Sequence, residues 1–236
     1  MEPTYRVQLY WRGRAAPVHR LADELWRFVQ GLGALSPRLA GLRPYTRDDE
    51  LLPALTGARH AEAVLTHWEM PWRTGDVTRR SYKLGLVLDR IDDPQLRVEL
   101  VTGLEPLEDL EGLWVPNRLA VLARAGSEFA RAEALLGVLQ AGVQAFAPDW
   151  GFIGLDGDPV PPRPLFSRGE PVAAWVTYLA RSYPRLALSA PAASYALGEL
   201  GSLVMAHAER SEPGSAMQRE AVLAVQAAMR AAGVSP

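Results

Sequence analysis

The sequence predicts an α+β protein in which helices pack against a central antiparallel or mixed β-sheet. Runs of β-branched and aromatic residues indicate strands, and apolar residues at three- and four-residue spacing indicate helices. The two kinds of segment are interspersed along the chain. Short turns join the central strands, whereas parallel pairing needs long crossovers. We therefore expect a single domain over residues 1–236, with one sheet at its centre.

The first strand is predicted over residues 5–11, where alternate positions are apolar. A hairpin is predicted in the middle of the chain. There the apolar runs 84–88 and 98–101 flank the turn-forming sequence Asp92-Asp93-Pro94, so the two runs should be antiparallel neighbours. Further strands are predicted over 117–123, 152–155, 186–188, 194–197 and 203–207.

Amphipathic patterns predict the helices. The first should begin near Pro17 and end at Gly31 and Gly33. Asp48 and Asp49 suit the N-terminus of a short helix around 51–55. Three more helices are predicted over 59–68, over 128–146 with Ser127 as its cap, and over 215–232. The last should bury one side, composed of Met217, Ala221, Val225 and Met229.

Composition excludes several classes of protein. The 236 residues include no cysteine, which rules out disulfides, thiolate nucleophiles and cysteine-based zinc sites. The formal net charge of -2 provides no overall basic field for nucleic acid. The sequence opens without a signal-peptide pattern, and no apolar stretch is long enough to span a bilayer. We expect a cytoplasmic protein that binds neither nucleic acid nor membrane directly.

Catalytic motifs are not found in the sequence. The histidines lack zinc-ligand spacing, the GxG of Gly31 and Gly33 follows a helix instead of a strand, and no serine stands in a GxSxG elbow. We therefore expect no enzyme activity, no metal and no cofactor. Two alternatives stay open. One is a hydrolase with Asp149 or a central carboxylate as base. The other is a scaffold protein with a large apolar patch for self-association.

Negative charge is concentrated in residues 89–111, which contain eight carboxylates and two arginines. This segment is turn-rich, so we expect an exposed acidic surface that meets a basic partner. Two tryptophans stand in irregular sequence, MPWRTGD and GLWVPN, and partly exposed tryptophan is typical of protein-binding hot spots. The predicted partner-binding residues are Asp92, Asp93, Glu105, Glu108, Asp109, Glu111, Trp72 and Trp114.

Several short landmarks, taken in order, resemble the immunity protein 52 family of bacterial polymorphic toxin systems. They are Tyr10-Trp11-Arg12, Pro148-Asp149-Trp150-Gly151, the run PVAAWVTYL at 171–179, and the short strands around Gly198 and Gly201. The resemblance covers residues 5–232. It implies a protein that binds and neutralises a cognate toxin, typically a nuclease with a restriction-endonuclease-like fold delivered by a type VI secretion system. The resemblance carries over no catalytic or binding residue.

Overall fold

The computed structural model describes residues 3–12, 16–46, 48–74, 77–103, 117–155, 171–212 and 214–234, with backbone alone for 71–74 and 77–79. In this part of the chain, ten strands form one antiparallel sheet on which four α-helices pack. The predicted α+β class is confirmed. The strands are β1 (Thr4–Trp11), β2 (Arg43–Pro44), β3 (Glu69–Thr74), β4 (Val77–Val87), β5 (Leu96–Thr102), β6 (Asn117–Arg124), β7 (Trp150–Leu155), β8 (Val176–Ala180), β9 (Ala193–Ala196) and β10 (Gly201–Met205). The helices are α1 (Val18–Leu35), α2 (Ala58–His67), α3 (Ala132–Phe146) and α4 (Ala216–Ala231).

The strands are ordered β2-β4-β5-β6-β1-β7-β8-β10-β9, and β3 pairs with the first half of β4. The first strand of the chain therefore lies in the middle of the sheet, between β6 and β7. The predicted hairpin is confirmed, because Leu84 lies opposite Leu100 and Leu86 opposite Val98. The strands β7 and β8 flank the proline-dense sequence 157–164, and they pair directly with each other.

Helices α1, α2 and α3 cover one face of the sheet. Side chains alternate between the faces of a strand, so Val7 and Leu9 point to this side, as do Val98 and Leu100. Together with side chains of the three helices, they form one apolar core. Helix α1 packs between α2 and α3. Burying each large apolar side chain stabilises the fold by about 1.5 to 3 kcal/mol. The buried residues of α1 that face this core are Leu21, Ala22, Leu25, Phe28, Val29 and Leu32.

Helix α4 covers part of the opposite face. Its side chains Ala221, Val225 and Met229 pack in a second apolar core. The strand residues in that core are Tyr10, Trp150, Phe152, Leu179 and Val204, from β1, β7, β8 and β10. Helix α4 therefore covers one half of this face. None of the described helices contributes to a core on the other half, over β4, β5 and β6.

Helix α1 does not end at Gly31 and Gly33 as predicted but continues to Leu35. A Cβ atom at Gly31 would lie 3.0 Å from the Cβ of Ala141 on α3. A Cβ at Gly33 would lie 3.2 Å from the Cβ of Ala40. Both glycines therefore allow neighbouring backbone to approach the helix closely, and they do not mark its end.

Three other predicted elements differ from the structure. No helix forms over 51–55, where Pro53 lies and where Leu51 instead pairs with Tyr45 in an isolated bridge. The helix after Ser127 begins as a 3₁₀ turn, Glu128–Ala130, and becomes α-helical only at Ala132. Residues 186–188 are not a strand. The other predicted strands and helices are present, with ends shifted by a few residues.

Met217 was predicted to lie on the buried side of α4, yet its side chain is 72% exposed. Residues spaced by four advance 400° around a helix, so a stripe at that spacing rotates by 40° at each step. Met217 is twelve positions from the fully buried Met229, which places the two side chains about 120° apart. Only the later part of the predicted stripe faces the sheet.

Candidate protein-binding site

The half of the sheet that α4 leaves uncovered carries side chains from β4, β5, β6 and β1. Hydrogen-bonded register places Lys83, Val101 and Arg118 in one row across the strands. A second row contains Gly85, Glu99 and Ala120, and a third contains Arg97, Leu122 and Arg6. We call these nine residues the open face. Strands lie about 4.8 Å apart, so the open face is about 14 Å wide.

Cationic side chains outnumber carboxylates on the open face. Arg6, Lys83, Arg97 and Arg118 surround Glu99. The Nε atom of Arg97 lies 3.2 Å from Glu99 Oε1, and a terminal nitrogen of Arg118 lies 4.0 Å from Oε2. Neither Arg97 Nε nor Arg118 Nε makes a hydrogen bond within the described part of the chain. The Glu99 carboxylate thus lies near two guanidinium groups. Because the open face has four cationic side chains and one carboxylate, it has a local positive charge.

An aromatic ring borders the open face at β4. Tyr45 follows β2, and its ring occupies the space that a Cβ at Gly85 would fill. The guanidinium carbon of Arg97 lies 5.6 Å from the centre of this ring, in a cation–π contact. Burial raises the pKa of the Tyr45 hydroxyl, and the charge of Arg97 opposes that rise. Glycine at position 85 therefore allows an aromatic side chain to lie flat on the sheet beside the arginines.

The border with the half covered by α4 is formed by β1. Tyr10 stacks on Trp150 with ring centres 4.4 Å apart, and its hydroxyl donates a 2.6 Å hydrogen bond to Gln8 Oε1. Burial raises the pKa of Tyr10 to about 12, and the nearby charges of Arg118 and Arg6 oppose the rise. The charges of Arg6 and Arg118, two of the three arginines of the open face, therefore reach Tyr10 at the edge of the second core.

Two of the predicted acidic contacts are already engaged by arginines of the same chain. Asp92 forms an ion pair with Arg90 at 2.7 Å, and this hydrogen-bonded contact lowers the pKa of the Asp92 carboxyl. Asp93 pairs with Arg124, at the end of β6. Both carboxylates remain more than half exposed. They lie in the turn between β4 and β5, so Asp93 stands at the rim of the open face.

The remaining predicted contacts are not brought together by the described structure. Glu105, Glu108, Asp109, Glu111 and Trp114 lie outside the described residues. Trp72 was expected in a loop, but its backbone belongs to β3, opposite Arg79 in β4. The sequence MPWRTGD reads as irregular because it contains a proline and a glycine. Residues 70–74 nonetheless lie in the edge strand β3, where a proline is tolerated.

Asp149, the candidate base of a hydrolase, ties β1 to β7. Its Oδ2 accepts a 2.7 Å hydrogen bond from the backbone N–H of Arg12. The Asp149 N–H donates to Tyr10 O, and its carbonyl accepts from the N–H of Ala180. Asp149 therefore has a structural role, in which its carboxylate makes one contact and its backbone makes the other two.

A small cavity lies between α4 and the segments that precede β8 and α4. Its volume is about 50 Å³, and it is lined by Gly154, Trp175, Ser211, Gln218, Val222 and Leu223, among others. Sites that enclose a small organic ligand usually measure at least roughly 300 Å³. This cavity has room for about one small side-chain group.

The described residues show neither a metal-binding cluster nor a membrane-spanning helix. No group of three or more His, Asp or Glu side chains there is arranged to hold a metal ion. None of the described helices combines the length and the apolar character that crossing a membrane requires.

The open face was missed by the sequence analysis, although its signal is present. Charged or polar residues alternate with core residues in β1 and in much of β5, as in Arg97-Val98-Glu99-Leu100. This alternation identifies the side that points away from the first core. It does not reveal which strands α4 covers, and that decides which of these residues meet solvent.

No family model matches this sequence, and no curated protein matches it, so the resemblance to the immunity protein 52 family stays a prediction. Among solved structures, the chain is similar to "Pseudomonas aeruginosa T6SS protein PA0821". The sequence identity is 12% and the TM-score is 0.61, and the match covers 98% of this chain and 73% of the other. At this identity the match shows that the two proteins share a fold.

Proposed function

We propose that this protein is an immunity protein of a type VI secretion system, which binds a cognate secreted toxin in the cytoplasm and neutralises it. The observation that carries the proposal is the fold shared with a T6SS protein over 98% of this chain. The toxin is expected to be a nuclease, as the sequence resemblance implies.

The surface of the protein supports a binding role. The open face combines arginines with the apolar side chains Val101 and Leu122, and Tyr45 borders it. Arginine and tyrosine are enriched at protein-binding hot spots, and the centre of an interface is depleted of most other charged residues. A sheet face of this composition suits contact with another folded protein.

A hydrolase is the less supported alternative. A catalytic base must reach the substrate proton in a concave site. Asp149 instead accepts the Arg12 N–H, at 2.7 Å, where two strands end. The described cavity of about 50 Å³ is lined by other residues. These contacts favour a structural role for this carboxylate.

A scaffold protein is also less supported. Self-association through a broad apolar patch requires several exposed apolar side chains on one surface. The large apolar side chains that are exposed in the described residues belong to three different parts of the fold. They are Leu35 at the end of α1, Tyr195 and Leu200 near β9, and Met217 and Leu223 on α4.

The proposal is tested with the purified protein and the candidate toxin, taken as the product of the gene adjacent to this one. The two proteins are mixed and separated by size-exclusion chromatography, and toxin nuclease activity is titrated with increasing amounts of this protein. We expect co-elution and inhibition that is complete near a fixed molar ratio. Toxin that elutes alone and stays fully active at excess protein contradicts the proposal.

A further inference from the structure

We infer that the open face of the sheet binds an acidic surface of the partner protein, with Arg97 and Arg118 at the centre of the contact. The inference deepens the proposed function and rests on it, since the partner is then the toxin. It assigns the centre of the binding surface to the cationic strands, so the acidic segment that the sequence first indicates would contribute only outside that centre.

The first argument is accessibility. The side chain of Arg97 is 42% exposed and that of Arg118 is 30% exposed, although both stems lie on a sheet. Lys83, which lies on β4 in the same row as Arg118, is exposed. Of the described helices, α1, α2 and α3 pack on the opposite face of the sheet, and α4 packs over β7, β8 and β10. The side chains of Arg97, Arg118 and Lys83 therefore reach solvent at least in part.

The second argument is incomplete pairing. Glu99 is shared by Arg97 and Arg118, and the Nε atoms of both arginines make no hydrogen bond within the described part of the chain. A guanidinium group has five N–H donors, which suit bidentate contacts with carboxylates. The two Nε atoms are themselves buried, so a partner that presents Asp or Glu side chains would contact these partly exposed guanidinium groups through their terminal nitrogens.

The third argument concerns charge complementarity and the class of partner. The whole chain has a net charge of -2 and a sequence pI of about 6.1, so the positive charge of the open face is local. Nucleic-acid binding typically uses a wide basic surface that neutralises many phosphates. Here Glu99 stands between the arginines, and Val101 and Leu122 flank them. This mixture favours an acidic protein surface over a phosphate backbone.

The open face is smaller than a complete interface. A stable protein–protein contact covers about 800 Å² on each partner, more than a patch about 14 Å wide provides. The arginines would therefore form the centre of the contact, and the rim would supply the remaining area. Tyr45 and the ion pair of Asp93 with Arg124 lie at that rim.

The test uses the variant R97Q/R118Q, which removes two charges and keeps a polar side chain at each position. The matched control is R27Q/R59Q, which removes two exposed arginines from α1 and α2 on the other side of the sheet. A second variant, K83E, changes one exposed side chain of the open face. Circular dichroism and thermal unfolding establish that each variant is folded.

Binding to the candidate toxin is measured by isothermal titration calorimetry at low salt. We expect R97Q/R118Q to raise Kd by about tenfold or more, K83E to raise it by a smaller factor, and the control to stay within about twofold. If the wild type binds but folded R97Q/R118Q and K83E bind equally well, the open face is not the contact and the proposed function stands. If the wild type does not bind the toxin, the proposed function fails and this inference fails with it.

A parallel arm measures fluorescence anisotropy with a 20-base-pair DNA duplex. We expect no saturable binding by the wild type near 0.15 M salt. Binding that is present in the wild type and lost in R97Q/R118Q would assign the face to nucleic acid and overturn the inference.

Discussion

The ring of Tyr10 lies 4.4 Å from the ring of Trp150, stacked at 21°, along the line where the covered half of the sheet meets its open half. Trp150 belongs to the core beneath α4, and Tyr10 extends from that core toward Gln8 and the arginines of β1 and β6. This pair therefore lies between the second core, beneath α4, and the open face that we propose binds the partner.

Replacing Tyr10 by phenylalanine should lower stability at neutral pH. The substitution keeps the stacked ring but removes the 2.6 Å hydrogen bond to Gln8, a residue that is only 7% exposed. The Gln8 carbonyl would then lose a partner in a buried position, which costs about 1 to 2 kcal/mol. Denaturant unfolding measures this loss. The exposed Tyr195, changed to phenylalanine, is the control and should leave the free energy of unfolding unchanged.

The stability of the wild type should fall as the pH rises from 10 toward 12. Burial raises the pKa of Tyr10 from 10.0 to about 12 and that of Tyr178 to about 12. In this window the unfolded state loses the hydroxyl proton while the folded state keeps it, so unfolding becomes more favourable. The contribution is fully present below pH 10. The pH dependence should be shallower in Y10F, and an identical slope would show that Tyr10 does not contribute.

Gly151 should not tolerate a side chain. A Cβ atom at this position would lie 2.6 Å from the backbone oxygen of Gln8 in the neighbouring strand. Because backbone would have to move, G151A should destabilise the protein by about 3 kcal/mol. G126A is the control, since a Cβ there meets nothing within 4 Å. Equal midpoints of urea unfolding for the two variants would argue against this register of β1 and β7.

The orientation of α4 is tested by two methionines of the same helix. Met229 is fully buried and Met217 is 72% exposed. Changing Met229 to alanine should cost about 2 to 4 kcal/mol because it leaves a cavity in the second core. The same change at Met217 should stay within about 0.5 kcal/mol. Similar losses at both positions would mean that the helix buries a different side.

The acidic segment predicted from the sequence can be tested separately. Neutralising Glu105, Glu108, Asp109 and Glu111 together should slow association with a basic surface of the toxin at low salt, and high salt should remove the difference. The control neutralises four exposed carboxylates elsewhere, Asp23, Glu133, Glu209 and Glu220. If both variants associate at the wild-type rate, the acidic segment does not contribute to recognition.

Much of the fold can be predicted from local patterns. The hairpin of β4 and β5 follows from two apolar runs around Asp92-Asp93-Pro94, and α4 begins at its Ser215 cap. Gly31 could not be understood in this way. Its role depends on Ala141, which is 110 positions away and touches it only after α1 and α3 have packed.

The candidate site was harder to predict, for the same reason. A count of charges along the chain assigns residues 89–111 a strong negative charge. In the fold, however, Asp93 is paired with Arg124, 31 positions later, and Glu99 lies between Arg97 and Arg118. Strand pairing brings together arginines that are dispersed in the sequence. Local charge therefore identified the acidic segment, whereas tertiary structure was needed to find the cationic face.

The most direct measurement of the central claim is the survival of bacteria that express the candidate toxin. Cells carry the toxin gene under an inducible promoter, either alone or together with the gene for this protein, and colonies are counted after induction. We predict that co-expression of the wild type restores colony counts by several orders of magnitude, and that R27Q/R59Q protects equally well. Cells that die at the same rate with and without the wild-type protein, when immunoblotting shows that it is abundant, would contradict the proposal that it is an immunity protein.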